Sequence, residues 1–173
     1  YATARFTIKK SQDELNALAA AGLRRVFVGL ESGSGELLKN LRKGCTPDDL
    51  IRAGQMLAKA GIEMDVSMMQ GIGGLEHSRE HALSTAWLLN EIEPECVRIR
   101  TFTVKNNTEL GEDYLSGRFV LMGPHDILRE LSLMVENISG KMQLLSEHWT
   151  NFVHFSADMP SAKQSLLAHI DKH

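Results

Sequence analysis

The sequence predicts an α/β fold in which parallel strands carry helices on their outer side. Three short segments with strand character alternate with segments of helical periodicity, and glycine-containing turns follow the first two strands. Alternation of this kind builds βαβ units, which wind right-handed into a parallel sheet or barrel. With 173 residues and 43% apolar content, the chain is long enough to bury one sizeable core.

The first predicted elements are a helix and a strand. Ser11 and Glu14 have the spacing of a capping box, and apolar residues follow at helical intervals until Gly22. Residues 25–30 are then short, β-branched and aromatic, which is typical of a buried parallel strand.

Two helices are predicted next, at residues 34–43 and 46–61. Leucines at helical spacing indicate the first of them. The second begins with Thr46 as N-cap and Pro47 in the first position, and the acidic residues that follow complement the positive end of the helix dipole.

The alternation continues with a strand at 62–70, a glycine turn at 71–74, a helix at 78–90 and a strand at 96–104. The residues expected to face inward from this helix are Leu83, Ala86 and Trp87. Active groups are expected at the carboxyl ends of such strands, because ligands bind there in α/β folds.

The remaining sequence predicts a C-terminal appendage. Residues 105–122 are polar and contain several glycines, so we expect a loop. The later patterns are helices at 131–138 and 160–170 and an extended region at 142–155. We therefore divide the chain into a main unit, 1–122, and a helical C-terminal extension, 123–173, packed on it.

Charge and hydropathy exclude several classes of protein. A net charge of −3 argues against general nucleic-acid binding. It does not exclude a local basic patch formed by Arg24, Arg25, Arg42 and Lys43. No apolar run approaches the roughly 20 residues of a membrane span, and no secretory leader is present, so a cytoplasmic location is expected. Because the first residue is Tyr1, we expect the protein to extend upstream.

The two cysteines, Cys45 and Cys96, are far apart and form no CxxC motif. They cannot supply the ligands of a self-contained iron-sulfur cluster or a four-cysteine zinc site. Small buried apolar side chains are the ordinary role of such cysteines.

Glu31 is the first candidate binding residue, because it ends a strand and precedes a turn that leads into a helix. A carboxylate in this position can accept both hydroxyls of a ribose, while the helix start offers free N–H groups. A purely structural interpretation is equally open: Glu31 would cap the helix or pair with Arg42.

The glycine turn 71–74 is the second candidate, since it lets the backbone approach a flat or anionic ligand. Glu76 stands where a third glycine would complete GxGxxG, and no P-loop motif exists, so neither nucleotide fingerprint is supported. A tight turn without a ligand is the alternative.

Residues 77–81, His-Ser-Arg-Glu-His, match the HxxEH pattern of a class of zinc proteases. His77 and His81 could share one helix face, but the α/β alternation around them is unlike a metalloprotease, and we assign no metal site.

Two stretches resemble the fourth-strand region of radical S-adenosylmethionine (radical SAM) enzymes: residues 21–34, AGLRRVFVGLESGS, and residues 41–46, LRKGCT. The branch they resemble contains oxygen-independent coproporphyrinogen oxidase-like and tRNA methylthiotransferase-like members. Residues 60–74 are similar to that branch's fifth-strand glycine motif, and 104–110 to the loop after its sixth strand. Residues 149–171 resemble a tail of uncharacterised members.

The resemblance implies a (β/α)6 partial TIM-type barrel. A [4Fe-4S] cluster would reduce S-adenosylmethionine (SAM) to a 5′-deoxyadenosyl radical, which takes a hydrogen atom from a substrate that the resemblance does not specify. A reductase such as flavodoxin or ferredoxin is implied as an electron donor.

The same resemblance assigns cofactor-binding residues. Glu31 would bind the ribose hydroxyls, Lys43 or Arg42 would meet the methionyl carboxylate, and Val104 would touch the adenine. The other residues placed at this site are Ser32, Ser67, Gly71 and Gly73.

The main departure from the family is the absence of CxxxCxxC, which normally lies upstream of the matched region. As it stands, the chain can form part of a SAM site and is not expected to be active alone. Two alternatives are a non-catalytic binding or scaffold module without a cluster, and an α/β domain whose glycine turn binds another nucleotide.

Overall fold

The structure, a computed structural model, describes all 173 residues as eight helices and five strands. The elements follow one another in this order: α1 (Ala4–Thr7), α2 (Gln12–Ala20), β1 (Arg25–Glu31), α3 (Gly35–Asn40), α4 (Pro47–Lys59), β2 (Glu63–Gln70), α5 (Gly74–Ile92), β3 (Cys96–Thr101), α6 (Glu109–Leu115), α7 (Pro124–Asn137), β4 (Met142–Ser146), β5 (Phe155–Met159) and α8 (Lys163–Ile170).

The strands form one sheet in the order β1-β2-β3-β4-β5. The first three pairings are parallel, and β5 returns antiparallel to β4. Val28 is in register with Val66, which is in register with Val97, so the first three strands are parallel neighbours as predicted. Their carboxyl ends therefore lie at one edge of the sheet.

The two faces of the sheet differ in burial. Val26, Val28 and Leu30 of β1 are buried in a core of 31 residues together with apolar residues of the helices. The alternate residues point the other way and form what we call the open face, which is polar and partly exposed. The open face includes Phe27, Gly29, Glu31, Asp65, Ser67, Met69, Arg98, Arg100, Gln143 and Leu145.

The predicted α/β class is confirmed, and local capping explains why many helix starts were correct. Ser11 caps α2 and Thr46 caps α4, each through a complete capping box. Helix α5 begins at Gly74, four residues earlier than predicted, and β3 ends at Thr101 rather than at residue 104.

Two predictions on the helices were wrong. Trp87 is 47% exposed, because the inward face of α5 is formed by smaller or aliphatic side chains such as Ala82, Ala86 and Leu89. The predicted loop 105–122 contains helix α6, which Thr108 caps by accepting the Gly111 N–H.

The C-terminal residues contribute more to the sheet than predicted. Helices α7 and α8 are present, but the region also supplies β4 and β5, which continue the sheet beyond β3. Strand β4 lies within the extended region predicted at 142–155, and β5 begins at its last residue. The division at residue 122 stays a prediction. None of the helices combines the length and apolarity needed to cross a membrane.

Candidate functional site at the carboxyl end of strand β1

Glu31 and Lys43 form an ion pair on the open face. The Lys43 Nζ donates to the Glu31 Oε1 over 2.8 Å, and the Lys43 and Glu31 side chains are 27% and 23% exposed. Both groups lie directly above Gly29: a Cβ added there would come within 2.5 Å of the Glu31 Oε1 and 2.8 Å of the Lys43 Nζ. The absence of a side chain at Gly29 thus allows the pair to lie close over the strand.

The backbone of Glu31 is unusual. Its φ is +62°, and the register between β1 and β2 shifts between Gly29 and Glu31. A left-handed conformation is uncommon for a residue with a long side chain and costs free energy. This bulge reorients the end of β1 and is the local reason that the carboxylate lies above Gly29.

Neither of the two structural contacts predicted for Glu31 is formed. Ser34 caps α3 by accepting the Leu37 N–H, so Glu31 is not the cap. Arg42 is 76% exposed and pairs with Glu109 at 2.8 Å, so it is not the partner of Glu31 either. Of the two cations that the sequence left as alternatives, Lys43 is the one that contacts Glu31.

Ser67 lies in the same region of the open face, because it is in register with Gly29. The next residue in that row is Arg98 of β3. With neighbouring strands about 4.8 Å apart, the row spans about 10 Å from Gly29 to Arg98.

Ser32 points away from this pair into a buried polar network. Its Oγ lies 2.8 Å from the Nδ1 of His81, and both residues are fully buried. The Nε2 of His81 lies 3.8 Å from the Oε1 of Glu130 on α7, which is too far for a hydrogen bond. Ser32 therefore connects β1 to α5 in this structure and does not contact the Glu31–Lys43 pair.

Glu130 holds the glycine turn in place. It accepts the Gly71 N–H over 2.7 Å and the Ser78 hydroxyl over 2.7 Å. Burial raises the pKa of Glu130 to about 7, although these two donors oppose the shift. Burial also lowers the pKa of His81 to about 4, opposed by the Met69 carbonyl and the Glu80 charge.

The predicted glycines have different surroundings. A Cβ on Gly71 would come within 2.6 Å of the Ile127 side chain, so this glycine packs against α7. Gly73 borders a cavity of about 410 Å³ that Arg42 and Glu109 also line. Val104 lies in the half-buried start of the loop after β3.

The HxxEH residues are engaged in other contacts. Glu80 accepts the Ser34 hydroxyl over 2.6 Å, and His81 faces Ser32, as described above. Only His77 borders the 410 Å³ cavity. The structure contains no group of three or more side chains that could hold a metal ion.

Two features were missed at the sequence level. No local sequence pattern indicated a role for Glu130, because its backbone partner Gly71 lies 59 residues away in the sequence. Arg98 and Arg100 could have been found, because the alternation of apolar and basic residues in β3 places both arginines on one face.

Comparisons with known proteins reveal distant relatives. The tRNA uridine(34) acetyltransferase of Methanocaldococcus infernus is 29% identical over 110 residues, which is 63% of this chain and 21% of the relative. The 4′-phospho-dehydrooxetanocin synthase of Priestia megaterium is 26% identical over 137 residues, or 75% of this chain and 18% of the relative. The chain thus spans about a fifth of the length of these curated relatives, and no protein-family model matches it.

Solved structures extend the likeness to the fold. The archaeal Methanocaldococcus infernus Elp3 with an N-terminal deletion superposes with a TM-score of 0.69 at 20% identity, covering 98% of this chain and 40% of the other. Methylornithine synthase (PylB) gives 0.52 at 20% identity, covering 75% and 36%. The chain is a distant homologue of radical SAM enzymes. Its mostly parallel five-stranded sheet matches the partial TIM-type barrel of radical SAM structures.

The radical SAM relationship agrees with the resemblance found in the sequence. These relatives do not support the predicted coproporphyrinogen oxidase-like and methylthiotransferase-like branch. The residues of this chain also do not fit a [4Fe-4S] cluster. Cys45 follows α3 and Cys96 begins β3, and burial raises the pKa of both thiols, which disfavours the thiolate that binds iron. For SAM the fit is better, because Glu31 offers a carboxylate and Lys43 a cation on an accessible face.

Proposed function

We propose that this chain forms one side of the SAM site of a radical SAM enzyme. The observation that carries the proposal is the Glu31–Lys43 pair above Gly29 at the carboxyl end of β1. Ligands bind at this end of the strands in α/β folds, and the relatives support SAM as the ligand.

The two groups of the pair match opposite parts of SAM. An ionised carboxylate accepts two hydrogen bonds, as from the 2′- and 3′-hydroxyls of a ribose. An ammonium group attracts the methionyl carboxylate. We infer that the two groups neutralise each other in the free protein, and that each exchanges its partner for a part of SAM on binding. No isolated charge is then buried in either state.

Lys43 is preferred over Arg42 for this role. The guanidinium of Arg42 pairs with Glu109 beside the 410 Å³ cavity, whereas the ammonium of Lys43 already lies on the open face. The predicted roles of Gly71, Gly73 and Val104 toward the adenosyl group remain part of the proposal.

In radical SAM enzymes, bound SAM is cleaved reductively to a 5′-deoxyadenosyl radical that takes hydrogen from the substrate. The cysteines that hold the cluster would come from a CxxxCxxC segment outside these 173 residues. The role of this chain is therefore to bind and orient SAM. The coproporphyrinogen oxidase-like and methylthiotransferase-like branch remains a hypothesis on the sequence motifs alone.

The test is SAM binding to the protein that carries this chain together with its cluster segment. Glu31→Ala removes two charge-assisted hydrogen bonds, each worth about 1.5–3 kcal/mol, so SAM affinity should fall by about tenfold or more. Glu31→Gln keeps an acceptor and should lose less. Glu91→Ala, an exposed change near the opposite end of α5, is the matched control and should leave affinity unchanged.

Iron content is measured in each variant, because the cluster ligands lie elsewhere and should be unaffected. Unchanged SAM affinity in Glu31→Ala with its cluster intact would overturn the proposal. An open reading frame without CxxxCxxC upstream of Tyr1 would favour the scaffold alternative instead.

A further inference from the structure

Arg98 and Arg100 of β3 both project from the open face, and neither forms a salt bridge. They line a depression of about 170 Å³ together with Leu145, Glu147 and His148. The two guanidinium groups lie on the same face of β3, because their residues are two positions apart in the strand. The depression thus has unpaired positive charge available to a ligand.

The surroundings of Arg98 favour an anionic ligand. Its guanidinium lies over the ring of Phe27, 5.7 Å from the centroid, which orients the side chain across the open face without neutralising it. Glu147 borders the depression but lies outside salt-bridge distance of both arginines. Planar guanidinium groups bind phosphate and carboxylate through paired hydrogen bonds.

The loop that closes the depression is held by a buried side chain. Asn151 accepts the Thr101 N–H over 2.8 Å and donates to the Ile99 carbonyl over 2.9 Å. It also donates to the Ser146 hydroxyl over 2.9 Å. These bonds fix the segment that bears His148 beside the end of β3, so the rim of the depression is preformed.

The depression lies close to the proposed SAM site. Arg98 shares a register row with Ser67 and Gly29, about 10 Å from the Glu31–Lys43 pair at the strand spacing of a sheet. Arg100 lies two residues closer to the carboxyl edge, in register with Met69. A group bound here would hold the rest of a substrate over the open face, toward the SAM site.

We infer that Arg98 and Arg100 bind an oxyanion of the substrate, a phosphate or a carboxylate group, and so orient the substrate of the proposed radical SAM reaction. The assignment of this oxyanion to a substrate rests on the proposed function. The anion site itself rests only on the geometry of β3 and the loop after β4.

The test uses NMR titration of the isotopically labelled chain with inorganic phosphate and, separately, with acetate, at constant ionic strength. The side-chain Nε–H signals of Arg98 and Arg100 should shift in a saturable way with at least one of the two ions. Preference for phosphate or for acetate identifies the type of oxyanion. The double variant Arg98→Gln/Arg100→Gln should weaken this binding by roughly tenfold.

The matched control is Arg129→Gln, an exposed arginine of α7 that pairs with Asp126. It should leave the binding of both ions unchanged. No saturable shift with either ion, or equal affinity in the double variant and the wild type, would overturn the anion site.

A parallel measurement separates this inference from the proposed function. Glu31→Ala should leave the phosphate or acetate titration unchanged, because Glu31 lies two strands away. If SAM binding fails while the anion titration succeeds, the proposed function is wrong and the anion site stands. The reverse result removes the anion site and leaves the SAM site intact.

Discussion

The His81 Nε2 lies 3.8 Å from the Glu130 Oε1, and both side chains are almost completely buried. Because the Nδ1 of His81 lies 2.8 Å from the Ser32 hydroxyl, the three residues join the end of β1 to α5 and α7. Glu130 also holds the Gly71 N–H, so the glycine turn depends on the same contact.

The pKa shifts of this pair predict a specific pH dependence of stability. Glu130 has a folded pKa of about 7 against 4.5 in the unfolded chain, so its contribution is complete below pH 4.5 and is lost as the pH rises through 7. His81 has a folded pKa of about 4 against 6.5 in the unfolded chain, so its contribution is complete above pH 6.5 and is lost as the pH falls toward 4. The two effects oppose each other between these values.

Glu130→Gln should remove one of the two effects. The amide keeps an acceptor for the Gly71 N–H but cannot ionise. Relative to the wild type, the variant should therefore gain on the order of 3 kcal/mol in unfolding free energy as the pH rises from 4.5 to 7. Urea unfolding at a series of pH values measures the difference.

The control for this prediction is Glu136→Gln, an exposed change on the same helix. Its difference from the wild type should not vary with pH. Parallel profiles for Glu130→Gln and the wild type would show that Glu130 titrates normally.

Lys43 and Arg42 should differ in their effect on SAM binding. Lys43→Met removes the cation that contacts Glu31 and should lower SAM affinity by about tenfold. Arg42→Met breaks only an exposed pair with Glu109 and should change affinity little. Dissociation constants from calorimetry decide between them, and a larger loss in Arg42→Met would reverse the assignment.

Gly33 should tolerate no side chain. An added Cβ would lie 2.1 Å from the Ser84 carbonyl oxygen and 2.5 Å from the Thr85 nitrogen, and these backbone atoms of α5 cannot move aside cheaply. Gly33→Ala should therefore destabilise the fold by roughly 3 kcal/mol.

Gly35→Ala is the matched change for Gly33→Ala. Its added Cβ would only meet the Pro47 ring at 3.7 Å, and Gly35 begins a helix, so stability should stay equal or rise by about 0.5 kcal/mol. Chemical denaturation of both variants compares the two sites. Similar midpoints would mean that α5 does not pack on Gly33 as described.

Anaerobic reconstitution of the 173-residue chain with iron and sulfide should give no stable [4Fe-4S] absorbance. Cys45 lies just before α4, near the carboxyl edge of the sheet, whereas Cys96 begins β3 at the opposite edge. Strands of this length separate the two edges by roughly 15–20 Å, which is too far for one cluster. Stoichiometric iron and sulfide, lost in Cys45→Ala, would contradict this.

The sequence by itself determined the order of the elements from α2 to β3 and most of their starts. The capping boxes at Ser11 and Thr46 and the apolar period of each segment act within a few residues, so they are visible without the fold. Glu31 was also placed correctly at a strand end, because the end of β1 is a local feature.

Only the tertiary structure decided which polar side chains meet. The sequence left Arg42 and Lys43 as equal candidates, and the left-handed backbone at Glu31 with the bare Gly29 beneath it brings Lys43 to the carboxylate. His81 and Glu130 are 49 residues apart in sequence, and burial of both depends on how α7 packs on α5. Contacts of this kind arise from the packing of distant elements, and no local pattern in the sequence specifies them.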